Sequence, residues 1–292
     1  MFSYRHSFHA GNHGDVLKHL CQLIILSKLK EKDKPFTYFD THSGAGVYHL
    51  DSTESLKTRE FQSGIAKLTD VSTNNELLAQ YLKMVMGYSK FNQYPGSPEI
   101  AHNLLRAQDD IVLMEWHNNE YENLKSNING RNISIHHRDG FEGLLAMTPP
   151  KMKRGMVLID PPYELATEYK QVVETVVKAY KKWSTGIYAI WYPLIKDRKE
   201  NAEQFTSASS KQGQSQAMLQ ALSRQDFKNL LQVELRVTSE EQAEGMYGSG
   251  LLIINAPWQL DTQLASALKE MAPQLASDAK GSFAINWLIE EK

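Results

Sequence analysis

Apolar residues along this chain fall into two recurring patterns. Short runs, each stopped by an acidic residue, alternate with longer stretches of helical period. Phe36-Thr37-Tyr38-Phe39-Asp40, Ile111-Val112-Leu113-Met114-Glu115 and Met156-Val157-Leu158-Ile159-Asp160 are such runs, and Ile133-Ser134-Ile135-His136-His137-Arg138 leads into Asp139-Gly140. Apolar runs of this length suit strands buried on both faces, as in a parallel sheet. Residues 15–31 carry Leu17, Leu20, Ile24, Leu26 and Leu29 over one broad face, which predicts a helix leading into the first strand. After Asp160 the pattern predicts a helix over 168–183, a strand over 186–192 and a polar helical stretch over 197–222. Strands over 230–237 and 251–255, a helix over 264–275 and a last strand over 283–289 follow. Between Tyr48 and Tyr94 no strand is expected; two helical segments, 59–68 and 75–88, read as an insertion. The expected architecture is an α/β sheet with helices on both faces, built from 1–48 and 95–292, with 49–94 as a small helical insertion. Residues 207–216 are small and polar and are expected to be mobile.

The ends of the strands carry the chemistry, because ligands of open α/β sheets bind at that edge. Asp160-Pro161-Pro162-Tyr163 is the most informative stretch. Two prolines cannot continue a ladder. The Pro161 carbonyl is then free to accept a hydrogen bond beside the Asp160 carboxylate, and the Tyr163 ring can stack on a planar group. Two acceptors and a flat face suit an exocyclic amino group on a nucleobase. An ordinary Pro-Pro turn would read the same over four letters, so the companions matter. Asp40 is followed by Thr41-His42-Ser43-Gly44-Ala45-Gly46, where Gly44 and Gly46 permit a sharp turn and close approach of backbone to ligand. The third glycine of a dinucleotide fingerprint is missing. Glu115 can accept both hydroxyls of a ribose, and Asp139, before Gly140, can accept from an adenine amino group. Any one of these acids alone is a helix cap or a surface group as readily as a ligand.

Asp160-Pro161-Pro162-Tyr163 resembles the corresponding motif of S-adenosyl-L-methionine-dependent amino methyltransferases, which modify adenine N6 or cytosine N4. The Asp40 to Gly46 stretch resembles their cofactor loop. Strand-end acids at Asp40, Glu115, Asp139 and Asp160, in that order, fit a Rossmann-like class I methyltransferase sheet. The opening block, Tyr4-Arg5-His6-Ser7-Phe8-His9-Ala10-Gly11-Asn12-His13-Gly14-Asp15-Val16-Leu17-Lys18-His19, is far more specific. It resembles the RlmJ family of 23S ribosomal RNA adenine-N6 methyltransferases. Tyr94-Pro95-Gly96-Ser97-Pro98, Ala189-Ile190-Trp191-Tyr192-Pro193 and Ser249-Gly250 through Pro257-Trp258 are similar as well. Ser43, Ala256 and residues 199–224 depart from the family pattern. The resemblance implies methylation of a 23S rRNA adenine, with Asp160, Pro161 and Tyr163 at the base. It also implies that Lys18, His19, His42 and Ser97 join Gly44, Gly46, Glu115, Asp139, Gly140 and Asp160 at the cofactor.

Composition sets limits. The 292 residues can bury a sizeable core, and a formal net charge of −2 excludes a globally basic nucleic-acid coat. A local patch remains: the first 35 residues hold six Arg or Lys against three acids. Tyr4 and Arg5 at its tip suit stacking on a base while contacting phosphate. A helix with a solvated basic face would explain the lysines but not the aromatic tip. The single cysteine, Cys21, excludes an intrachain disulfide, and no signal pattern or membrane-length apolar stretch is present. A cytoplasmic monomer is expected. Ten histidines match no zinc spacing, so no metal is expected. Two other readings share the motifs: a DNA adenine-N6 methyltransferase, and an RNA-binding protein that kept the fold and lost activity. A protein-glutamine methyltransferase would carry Asn in place of Asp160.

Overall fold

The computed structural model describes residues 5–196, 211–243 and 245–290. Its strands are β1 (Thr37–Asp40), β2 (Val47–His49), β3 (Gln93–Pro95), β4 (Asp110–Glu115) and β5 (Ile133–His137). They continue with β6 (Gly155–Ile159), β7 (Ile187–Lys196), β8 (Leu230–Arg236), β9 (Gly245–Ile254) and β10 (Ser282–Ile289). Eight of them form one sheet in the order β10-β8-β9-β7-β6-β1-β4-β5. Strands β7, β6, β1, β4 and β5 are mutually parallel, while β9 pairs antiparallel with both β7 and β8, and β10 antiparallel with β8. The four acid-terminated runs are therefore adjacent parallel strands, and their acids share one edge of the sheet.

Period-two alternation sorts the strand side chains between two cores. Tyr38, Met156 and Leu158 face a cluster closed by α1 (His13–Lys30), α3 (Glu76–Ser89), α4 (Ser97–Leu104) and α9 (Leu260–Leu275). Phe39, Val157 and Ile159 face the other, closed by α6 (Gly140–Met147), α7 (Ala166–Lys182) and α8 (Gln214–Ser223). Helix α5 (Asn118–Asn127) follows β4. This is the Rossmann-like α/β sheet with helices on both faces. Among the described residues no helix is long and apolar enough to cross a membrane.

Two expectations are corrected. The helix expected over 59–68 is instead two 3-10 turns, Glu60–Gln62 and Ile65–Leu68, after the short α2 (Thr53–Thr58). Gly64 breaks it: at φ −110°, ψ −113° its backbone passes so close to Gly11 that a Cβ would lie 2.1 Å from the Gly11 carbonyl oxygen. The stretch from Tyr48 to Tyr94 is not free of strands either. β2 and β3 pair antiparallel, Tyr48 opposite Tyr94, and tie together the two ends of the inserted segment. Three-residue strands are too short to show a period. The polar stretch expected over 197–222 is described from residue 211 onward, where α8 forms. Residues 197–210, with the first four residues of the stretch expected to be mobile, lie outside the described residues.

Candidate active site

The acids converge as the strand order requires. Lys18, His19, His42, Gly44, Ser97, Glu115, Asp139, Gly140 and Asp160 all line one cavity at the C-terminal ends of β1, β4, β5 and β6. Each is held there by local structure. Asp139 caps α6 by accepting from Glu142 N at 2.8 Å. Gly140 lies so close to β1's end that a Cβ would meet the Thr41 carbonyl oxygen at 1.9 Å. Gly44, at φ +59°, turns the loop so that its N–H donates to Glu115 Oε2 at 2.8 Å, while Glu115 Oε1 accepts from His117 N at 2.6 Å. Burial raises the Glu115 pKa above the usual carboxylate value, and these two N–H donors restrain the rise. Asp40 sits beneath the floor. Its fully buried carboxylate accepts from Tyr38 Oη at 2.8 Å and Ser97 Oγ at 2.6 Å, which fixes Ser97.

Helix α1 supplies a buried ionic chain that the sequence pattern missed. Asp15, 2 % exposed, accepts from Gly11 N at 2.9 Å and from Lys18 Nζ at 2.8 Å, and pairs with His6 Nε2 at 2.9 Å. Lys18 Nζ also donates to Asp160 Oδ2 at 2.5 Å. Burial alone would depress the lysine pKa. The carboxylates of Asp15 and Asp160 more than offset it and hold the ammonium above its ordinary value. Burial drives His19 well below the usual histidine range and His42 down to about 4, so both rings are neutral at pH 7. His6, Thr41, Trp116, His117, Glu120 and Phe141 also line the cavity and were not foreseen. The signal for Trp116 and Phe141 was available, since each directly follows a nominated strand-end residue.

Four nominated residues do not face the cavity. Tyr163 takes a left-handed φ of 49°, which turns its ring into the core. It is 1 % exposed, lies 4.3 Å from Tyr169 ring to ring, and donates its hydroxyl to the Trp191 carbonyl at 2.7 Å. A stacking face toward a ligand is not presented. Pro161 is buried, and Pro162 lines the wall in its place. Gly46 supports the loop from behind: its carbonyl accepts from Gly96 N at 2.7 Å, and a Cβ would meet Ile128 at 2.6 Å. Arg5 is held by Glu54 at 2.9 Å and Glu120 at 3.7 Å, so its charge is neutralised within the chain. Tyr4 lies outside the described residues. Among the described residues no group of three or more His, Cys, Asp or Glu side chains is arranged to hold a metal ion.

Three buried polar atoms on this wall have no partner among the described residues: His19 Nε2, His117 Nδ1 and Glu120 Oε2. Buried polar groups are normally paired, and these three are not. The chain is 40% identical to the ribosomal RNA large subunit methyltransferases J of Haemophilus influenzae and of Escherichia coli, over 100% of each chain. A crystal structure of a Legionella pneumophila protein superposes with a TM-score of 0.81 at 32% identity, covering 95% of this chain and 98% of that one. The family model described as ribosomal RNA large subunit methyltransferase D, RlmJ, matches residues 33–289. With an α/β sheet whose strand-end acids Glu115, Asp139 and Asp160 line one cavity, the chain belongs to the RlmJ family of S-adenosylmethionine-dependent ribosomal RNA methyltransferases.

Proposed function

We propose that this protein methylates N6 of a specific adenosine in 23S rRNA. One observation carries the reading: Asp160 reaches the cavity that Glu115, Gly44 and Asp139 also line, with one carboxylate oxygen already committed to Lys18. The relatives' names supply ribosomal RNA as the substrate. The wall fits S-adenosylmethionine: Glu115 keeps lone pairs for ribose hydroxyls beyond the two backbone donors it holds, Asp139 lies at the next strand end, and His19 offers an unpartnered nitrogen. When bound, the cofactor supplies a sulfonium-activated methyl group.

The protein's own part is to prepare the nucleophile. Adenine N6 is weakly nucleophilic because its lone pair is delocalised into the ring. Asp160, tethered through Oδ2, has Oδ1 left to accept one N6–H. Pro161 is buried and does not line the cavity, so the amino group is held there through Asp160. Holding the amino group at Asp160 orients its nitrogen so that the lone pair is aimed at the methyl carbon, and such orientation lowers the barrier substantially. Asp160 takes up the proton released as the N–C bond forms. The adenosine must leave its stack to enter the cavity. The enzyme is read as a cytoplasmic monomer, which sedimentation at assay concentration checks. The test of function is transfer of labelled methyl to a 23S rRNA transcript and to duplex DNA in parallel, with nuclease digestion and mass spectrometry of the product. N6-methyladenosine in the RNA supports the reading. Label in DNA alone, or none in either, overturns it.

A further inference from the structure

The edge of the sheet opposite the cavity carries charge that the chemistry does not use. Five segments lead into the N-terminal ends of the parallel strands: 28–36 into β1, 105–109 into β4, 128–132 into β5, 149–154 into β6 and 181–186 into β7. Together they hold eleven Lys or Arg against three acids, in a chain that has 32 against 34. The lysines at 28, 30, 32 and 34 of the basic N-terminal stretch are among them. Hydrogen bonds join the segments into one surface. The Lys34 carbonyl accepts from Arg106 Nη2 at 3.1 Å and from Arg154 Nη1 at 2.8 Å. Asn132 Nδ2 donates to the Asp109 carbonyl at 2.6 Å. The Lys153 carbonyl accepts from Trp183 Nε1 at 2.8 Å and from Thr185 Oγ1 at 3.0 Å. Arg106 and Arg154 also lie against the Phe36 ring, each 5.7 Å from its centre. On this braced surface Lys32, Lys34, Arg131, Lys151, Lys153 and Lys181 are exposed, and none makes an ion pair among the described residues.

We propose that this basic face binds the phosphate backbone of a second segment of the RNA substrate, apart from the segment that enters the cavity. The proposal rests on the ribosomal RNA reading above. Strands β1, β4, β5 and β6 are four to six residues long, which sets the face about 13–20 Å from the cavity across the sheet. The two surfaces look in opposite directions, so one short stretch of RNA cannot occupy both, whereas a folded RNA can present a second segment. Lysines in the last turn of a helix also complement its dipole. That accounts for Lys28 and Lys30 on α1 and for Lys181 and Lys182 on α7. It leaves Lys32, Lys34, Arg131, Lys151 and Lys153, which lie in loops. Among the described residues, none of the exposed large apolar side chains is on these segments. Protein and membrane partners use such anchors, while phosphate contacts need only charge and donors. The rest of the chain is net acidic, which turns a polyanion toward this face.

The test compares two RNAs on the full chain: a long 23S transcript and the shortest fragment of it that wild type methylates. Fluorescence anisotropy should show wild type binding the long RNA more tightly. A variant carrying Lys32→Gln, Lys34→Gln, Lys151→Gln and Lys153→Gln together should lose about tenfold or more of its affinity for the long RNA. Its slope of log affinity against log salt should flatten by about 3, because four phosphate contacts are gone. Turnover and KM on the short fragment should stay within about twofold of wild type. Arginine at the same four positions should restore the long-RNA affinity. An unchanged affinity and slope for the long RNA overturns the proposal, and so does an equal loss on both RNAs. Binding to anionic phospholipid vesicles that the variant loses, while its RNA affinity holds, assigns the face to a membrane and overturns it too. Methylation of neither RNA by wild type overturns the function proposed above, and anisotropy with the long RNA still decides the basic face.

Discussion

The two halves of α1 are buried equally and for opposite purposes. Residues from Leu23 to Leu26 are fully buried hydrocarbon. One to two turns earlier, Asp15, Lys18, His19 and Gln22 are also at most 4 % exposed. Burial without a partner would be prohibitive for these groups. They survive because each finds an oppositely charged or hydrogen-bonding neighbour, Asp15 with His6 and Lys18, Lys18 with Asp160, and Gln22 with Tyr38 and the Ser97 carbonyl. The same helix thus anchors the fold with one half and aims the chemistry with the other. Replacing such a chain by hydrocarbon often costs no stability, so its presence points to function.

The largest effect should come from the end of that chain. Asp160→Ala should lower turnover by about 10³-fold or more, because it removes both the acceptor for N6 and the orientation it gives. Cofactor affinity should stay within a few-fold. Single-turnover assays and calorimetry measure the two; near wild-type turnover would break the division of labour. The apolar half should answer in the opposite way. Leu23→Ala should cost about 2–5 kcal/mol of unfolding free energy through lost burial and the cavity left behind. Turnover per folded molecule should hold. Loss of turnover at full stability would erase the contrast.

Legibility in the sequence followed the same divide. Strands β1, β4 and β6 and their acids were readable because burial makes continuous apolar runs, the half-exposed edge strand β5 because Ile133 and Ile135 alternate along it, and a strand end is a fixed place for a ligand group. Asp15 was invisible as a site residue: on a helix an acid three residues before a lysine looks like a solvated pair, and only tertiary packing buries it. Tyr163 was misread for a different reason. Its identity permits stacking, but the left-handed turn after the two prolines sends the ring inward, and no local pattern encodes that choice. Arg5 looked available because its partners, Glu54 and Glu120, are remote in the chain.

Two smaller effects sharpen the comparison. Glu115→Ala should weaken cofactor binding by about 1–3 kcal/mol, since two ribose hydroxyls lose a charged acceptor. Calorimetry measures it, and an unchanged dissociation constant would reduce Glu115 to a cap for the Gly44 loop. His13, at the start of α1, is 7 % exposed, and burial lowers its pKa to about 4. The unfolded chain then binds more protons than the folded one between about pH 6.5 and 4. Its contribution to stability is complete above pH 6.5 and is lost as pH falls toward 4. The difference in urea midpoint between wild type and His13→Gln, followed from pH 7 to 4.5, should shrink as the pH drops. A constant difference would mean that His13 is not held neutral.

The position of β1 has a consequence for how the enzyme comes into being. Thr37 pairs with Asp110 on one side and with Gly155 on the other, so a strand made early waits inside the sheet for two that are made much later. Contacts of such long sequence separation form slowly. During synthesis the Gly44 loop and Lys18 emerge well before Glu115 and Asp160 exist to meet them. The cavity therefore cannot assemble piecemeal on the growing chain, and methyl transfer switches on late, as a property of the nearly finished domain.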